Sequence, residues 1–236
     1  MLYMMLPLDR HFDSGFGAVA DSFKDAADAL ENTRENTPTL NDHLPISYLY
    51  RHAIELYLKS AIIIFHRKLN IPYGDSPASG EPKVLDGAKW KPMFNVHGLQ
   101  PLYSHFCSLF EDHAEYLSNY TNTDWSFPAE LDQWINDIEA TDSSSTFFRY
   151  PVTKDKAKDK EKSVFREDRY DALFSRMEQN QKPTKTLLMV DQDGNVVETF
   201  SHDDTQAKEI IITLKQVAEL FSNCHAALVG ELTRGA

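Results

Sequence analysis

The segment from Leu44 to Leu69 constrains this chain more than any other. Ile46, Leu49, Ala53, Ile54, Leu56, Leu58, Ile62, Ile63 and Phe65 cover most of its helical wheel. A helix that is apolar on most sides has to be enclosed by other elements. Pro45 stands near its first turn, where a missing N–H costs little. The chain has 236 residues, 42% of them hydrophobic and 11% aromatic, which is enough material to surround such a helix within one domain.

The surrounding segments read as further helices. Phe12, Phe16, Val19, Ala20, Phe23, Ala27 and Leu30 recur at helical spacing and predict a helix over 11–33. A loop with Pro38 follows. Leu99, Leu102, Phe106, Leu109, Phe110 and Leu117 predict a third helix over 99–118. Leu131, Trp134, Ile135 and Ile138 predict a fourth over 128–140, with Pro128 in its first turn. The last and most strongly periodic helix spans 204–232. Asp142 and the serines after it read as an N-cap cluster before a short turn that ends at Pro151.

Two segments interrupt this pattern. Residues 70–96 hold four prolines, three glycines and three lysines, and read as a long loop with short strand-like pieces. Residues 152–203 read as an insertion. It opens with a lysine–acid run over 154–162, expected to be solvated, and continues with a short helix over 170–178. It closes with a β-hairpin over 187–200, with Asp193-Gly194 in the turn. The predicted fold is a mainly α, up-and-down bundle of about five helices with a small hairpin insertion, in one domain over 1–236.

Charge and cysteines narrow the setting. The net charge is -12, so nucleic acid would have to be met by a local basic patch. Cys107 and Cys224 belong to no CxxC pair and fit reduced structural thiols, with a disulfide between them left open. The apolar start, Met1 to Leu8, is too short for a secretory segment, and Ala61 to Phe65 is far short of a membrane span. The expected location is the cytoplasm, with no membrane contact.

The polar side of the central helix is a narrow stripe. Tyr48, Arg51, His52, Glu55, Lys59 and His66 fall within about 100° of arc. Arg51–Glu55 and Glu55–Lys59 are i,i+4 pairs of opposite charge, worth about 0.2–0.5 kcal/mol each on an exposed helix. The stripe is either a solvent-facing ladder or a semi-buried network lining a groove or an interface.

The run Leu44-Pro-Ile-Ser-Tyr-Leu-Tyr-Arg-His-Ala-Ile-Glu-Leu-Tyr-Leu-Lys59 resembles the second-helix signature of HEPN-like proteins. His97-Gly-Leu-Gln-Pro-Leu102 is similar to the motif opening their next helix, and Phe147-Phe-Arg-Tyr-Pro151 to their Arg-Tyr-Pro element. The resemblance covers 44–151 and 204–232. It implies a helical bundle, a homodimer, and a link to RNA processing, phage defence or toxin–antitoxin systems. Active ribonucleases of the family carry an Arg followed four to six residues later by His, and no arginine here is followed by such a His. The resemblance therefore points to the non-catalytic branch, in which the bundle binds a protein partner, a nucleotide or RNA.

The candidate binding residues are Arg51, His52, Glu55, Lys59, His97, Arg149 and Tyr150. Arg149 offers a guanidinium fork for phosphate or carboxylate; its structural alternative is an ion pair with Glu55 or Asp142. His52 and His97 are candidate acid and base as imidazoles, but no nucleophile accompanies them, and His97 reads equally as a cap of the third helix. The span 149–169 has eight Lys and Arg against five Asp and Glu, and is the only basic concentration. No metal-ligand spacing appears among the nine histidines, and no phosphate-loop or dinucleotide motif suggests a cofactor. The function expected is a non-catalytic binding or assembly module. The alternatives are a ribonuclease with a non-standard Arg51, His52 and Arg149 site, and a structural scaffold whose insertion docks a protein.

Overall fold

Helix α2 (His43–Leu69) is the axis of the molecule, and every residue from Ala53 to His66 is buried. It ends at Asn70, whose left-handed φ of 54° lets its N–H reach the His66 carbonyl, with His66, Arg67 and Lys68 suited to the negative end of the helix dipole. The computed structural model describes residues 6–34, 40–167, 169, 175 and 185–235. The loop about Pro38 and the short helix expected over 170–178 lie largely outside them.

Three helices enclose α2. Helix α1 (Phe16–Thr33) packs along it through the small buried residues Ala20 and Ala27. Helix α7 (Thr205–Leu232) covers another side with Leu214, Val217, Ala218, Phe221 and Leu228. Helix α3 (Leu99–Asp112) lies on a third. Helix α5 (Leu131–Asp142) closes against α3 and α7 through Leu131, Ile135 and Ile138. The helix predicted over 99–118 is broken at His113, and its remainder is α4 (Ala114–Tyr120). The His113 imidazole takes the Leu109 carbonyl at 2.9 Å as the backbone leaves helical geometry. Pro128 stands outside α5 and accepts the Leu131 N–H from the preceding turn.

The fold is mainly helical, with seven α-helices and two small antiparallel sheets among the described residues, rather than five helices and one hairpin. The first sheet, strands β1 (Lys83–Asp86) and β2 (Lys89–Pro92), forms within the 70–96 segment and packs on α3 through the buried Val84. The second pairs β4 (Thr186–Val190) with β5 (Val196–His202) about a turn containing Asp193 and Gly194, as predicted. Strand β3 (Phe165–Glu167) adds to the far side of β5, giving the order β3-β5-β4.

Most of the lysine–acid run is exposed, as expected of it, but Lys158, Asp159 and Lys162 turn inward. The run forms the single turn α6 (Lys156–Asp159), capped by the Asp155 side chain, followed by a 3-10 turn. Lys162 is buried and donates to Asp159 and to the Tyr150 carbonyl; Lys158 donates to the Ala140 and Thr141 carbonyls at the end of α5. Cys107 and Cys224 are both free thiols. No helix among the described residues is long and apolar enough to cross a membrane.

Candidate functional site

The polar stripe of α2 divides into a buried part and a surface part. Arg51, Glu55 and Lys59 are all buried. Glu55 sits between the other two, accepting from Arg51 Nη1 at 3.0 Å and from Lys59 Nζ at 2.8 Å. The remaining Arg51 donors leave the helix. Nη2 reaches the His97 carbonyl at 2.6 Å, and Nε lies 3.4 Å from both the Asp142 carbonyl and its carboxylate. Every guanidinium nitrogen is thus engaged, which is what a fully buried charge requires. The solvent-facing alternative for these three residues does not hold.

This network ties three segments to α2. His97 precedes α3, and Asp142 ends α5. Asp142 also accepts the N–H groups of Thr146 and Phe147 at 2.7 and 3.0 Å, so it shapes the turn that carries Arg149 and Tyr150. His97 does not cap α3. The Glu139 carboxylate does, accepting from the Leu99 and Gln100 N–H groups across from α5.

His97 instead points Nδ1 at Glu55 Oε1, 3.1 Å away, while its side chain is 54% exposed. A carboxylate only accepts, so Nδ1 carries the proton and Nε2 is the nitrogen left for a ligand. Burial works to raise the Glu55 carboxyl, but Lys59, Arg51 and His97 together outweigh it and hold it below the ordinary range. Glu55 is therefore a fixed negative charge behind a half-exposed imidazole.

The surface part is aromatic and cationic. The Arg149 guanidinium lies over the Tyr48 ring at 5.6 Å and the Tyr150 ring at 5.4 Å. Neither Glu55 nor Asp142 pairs with it; Arg51 occupies both. Arg149 and Tyr150 are exposed. His52 stacks on Tyr48 at 5.7 Å and meets the Phe23 edge at 4.5 Å. Burial, aided by Lys59, Arg51 and Arg149 and opposed by Glu55, keeps its imidazole below its usual value, so it is neutral near pH 7. Next to this edge lies a cleft of about 540 Å³ lined by Asp142, Ser143, Thr146, Tyr150, Lys154 and Lys158, among others.

Two buried polar clusters lie elsewhere. Ser60 Oγ donates to Asp13 at 2.6 Å and lies 3.0 Å from His225 Nδ1. These are the residue types of a hydrolase triad in a different order. The serine proton goes to the carboxylate, so the histidine donates to the serine and does not abstract from it, and all three are buried. The set joins the N-terminal turn, α2 and α7. Gly17 allows it: a Cβ there would lie 2.1 Å from the His225 ring. The second cluster is a chain of neutral imidazoles. The Leu85 N–H donates to His105 Nδ1 at 3.2 Å, His105 Nε2 faces His66 Nε2 at 3.3 Å, and His66 Nδ1 meets the Ile71 carbonyl at 2.9 Å. Tyr73 stacks on His66, and Trp90 meets both histidines edge-on.

Of the predicted residues, Arg51, Glu55, Lys59 and His97 converge in one network, and Arg149, Tyr150 and His52 gather round Tyr48 on the same flank of α2. Sequence reasoning missed Glu139 altogether, and it offered Asp142 as a cap or a partner of Arg149, whereas Asp142 pairs with Arg51. Among the described residues no group of three or more His, Cys, Asp or Glu side chains is arranged to hold a metal ion. No family model, curated protein or solved structure matches this chain.

Proposed function

We propose that this protein is a non-catalytic, HEPN-like binding and assembly module that takes single-stranded RNA or a nucleotide on the Arg149–Tyr150 edge, in an RNA-linked defence or toxin–antitoxin setting. The observation that carries this reading is Arg149. Its charge rests against two aromatic rings, no carboxylate among the described residues neutralises it, and one of those rings, Tyr150, lines the cleft that holds Lys154. Cations bind phosphate, and exposed aromatic faces stack on bases without reading their sequence. The buried Arg51 network acts as the frame that holds this edge, since its charges are already neutralised within the protein.

Fluorescence anisotropy with a short labelled single-stranded RNA tests the reading. Arg149→Ala and Tyr150→Ala should each weaken binding about tenfold, the scale of one lost stacking or phosphate contact. The RNA should be recovered intact. Equal affinity in the wild type and both variants would sink the proposal.

The Glu55–His97 pair favours a second reading, a ribonuclease that uses His97 as acid and base. A carboxylate fixing one imidazole nitrogen and leaving the other exposed is the arrangement that proton transfer needs. Cleavage of RNA by the wild type that is lost in His97→Ala, with the fold intact, would put this reading first.

A further inference from the structure

Strand β4 is the outer strand of its sheet among the described residues, and it carries no charge: Thr186-Leu-Leu-Met-Val190. Leu187, Leu188, Met189 and Val190 are 52, 43, 47 and 58% exposed. The other outer strand, β3, is three residues long and presents Arg166 and Glu167. Short, charged edges resist pairing, whereas long, neutral, apolar ones invite it. Among the described residues, only one edge of this sheet is therefore left open to a further strand.

The hydrogen bonding of β4 shows which of its groups face outward. The Lys185 carbonyl accepts from His202 at 2.9 Å, and the Asp191 N–H donates to Asn195 at 2.9 Å, both toward β5. Odd-numbered residues thus bond inward, and Thr186, Leu188 and Val190 turn their N–H and C=O groups away from the sheet. Antiparallel pairing about a two-fold axis at Leu188 matches outward groups only with outward groups: Leu188 with its own copy, and Thr186 with the Val190 of the other chain. The same register sets Leu187 against Met189, and Lys185 against Asp191. Those odd-numbered pairs are the non-hydrogen-bonded kind, whose side chains approach more closely. An apolar strand thus meets its own copy with opposite charges at both ends.

We propose that β4 pairs with the β4 of a second copy of this chain, joining the two three-stranded sheets into one across a two-fold axis. The interface is closed, because the outer strands that remain are the short, charged β3 edges. The inference rests on this edge alone and is independent of the RNA reading. Sedimentation equilibrium over a range of protein concentrations tests it, with Leu188→Pro and Lys185→Glu as variants. Leu188→Pro deletes the central outward N–H and leaves the bonds to β5 in place. Lys185→Glu sets like charges opposite Asp191 and tests the same register should the proline disturb the hairpin. The expected result is a wild-type dimer, a monomeric Leu188→Pro, and a dissociation constant raised about tenfold or more in Lys185→Glu. Helical circular dichroism should be unchanged in all three proteins. A wild type that stays monomeric up to millimolar concentration, or dimers that persist unchanged in both variants, would overturn the proposal.

Discussion

Arg51 is the residue on which most of the internal charge balance depends. It faces Glu55 on its own helix and Asp142 on another, with no exposure of its own. Replacing it with Leu leaves two buried carboxylates with one cation, Lys59, between them. Breaking a buried pair from one side costs about 3–5 kcal/mol. Urea denaturation of Arg51→Leu should show a loss of that size. Arg149→Ala, exposed and outside the network, should change stability by less than about 0.5 kcal/mol. The contrast separates frame from binding edge: the two arginines should differ in stability and in RNA affinity in opposite directions. An Arg149→Ala variant as unstable as Arg51→Leu would refute the division.

At the scale of elements, the β1–β2 hairpin is fastened to the bundle through neutral imidazoles. Burial lowers His66 and pushes His105 down to about 4, each further depressed by a neighbouring histidine. A histidine whose folded pKa is depressed binds fewer protons folded than unfolded. Its contribution is complete above the ordinary value near 6.5 and is lost as the pH falls from there toward about 4. For His105 alone this is on the order of 3 kcal/mol. Acidification across that window should expose Trp90 and shift its fluorescence to the red before the helices melt. His105→Phe, which cannot be protonated, should flatten this transition. Gly74 belongs to the same fastening. At its φ of 62° a Cβ would lie 2.6 Å from the Trp90 ring, so Gly74→Ala should loosen the hairpin at every pH.

The elements also show what the amino-acid pattern can and cannot convey. Periodicity located α2, α5 and α7 to within a few residues, because each buries one broad apolar face over several turns. It missed the break at His113, where a side chain competes for the Leu109 carbonyl without altering the apolar spacing. It placed Arg51, Glu55 and Lys59 on one face but left their burial open, since that depends on Asp142, 91 residues further on. Within the largely exposed 154–162 run, the inward turn of Lys158 and Lys162 was hidden for a similar reason. The groups that draw Lys158 and Lys162 inward are backbone carbonyls at 140, 141 and 150, which leave no trace in composition.

At the scale of the whole molecule, the two thiols report different events. Cys224 is on α7 in the core, and burial pushes its thiol up to about 12; Cys107 is half-buried on α3, raised first by burial and then by Asp132 and Glu111. Thiolates are the reactive form. A disulfide reagent at pH 8 should therefore label Cys107 slowly in the native protein and Cys224 only as fast as the bundle opens. Mass spectrometry after timed quenching would resolve the two sites. Labelling of Cys224 as fast as Cys107 would show that α7 detaches locally.

The enclosure of α2 by α1, α3 and α7 has a consequence during synthesis. The helix is complete when residue 69 has been added, and α1 is already available to cover one of its sides. The side belonging to α7 waits until residues 205–232 emerge. At ribosomal rates that interval is on the order of ten seconds, far longer than helix formation or collapse takes. For that time the nascent chain carries an oily stripe with no native cover. Truncated transcripts ending before α7 should yield polypeptides that bind chaperones or aggregate, so the arrival of α7 is the step that shields the central helix.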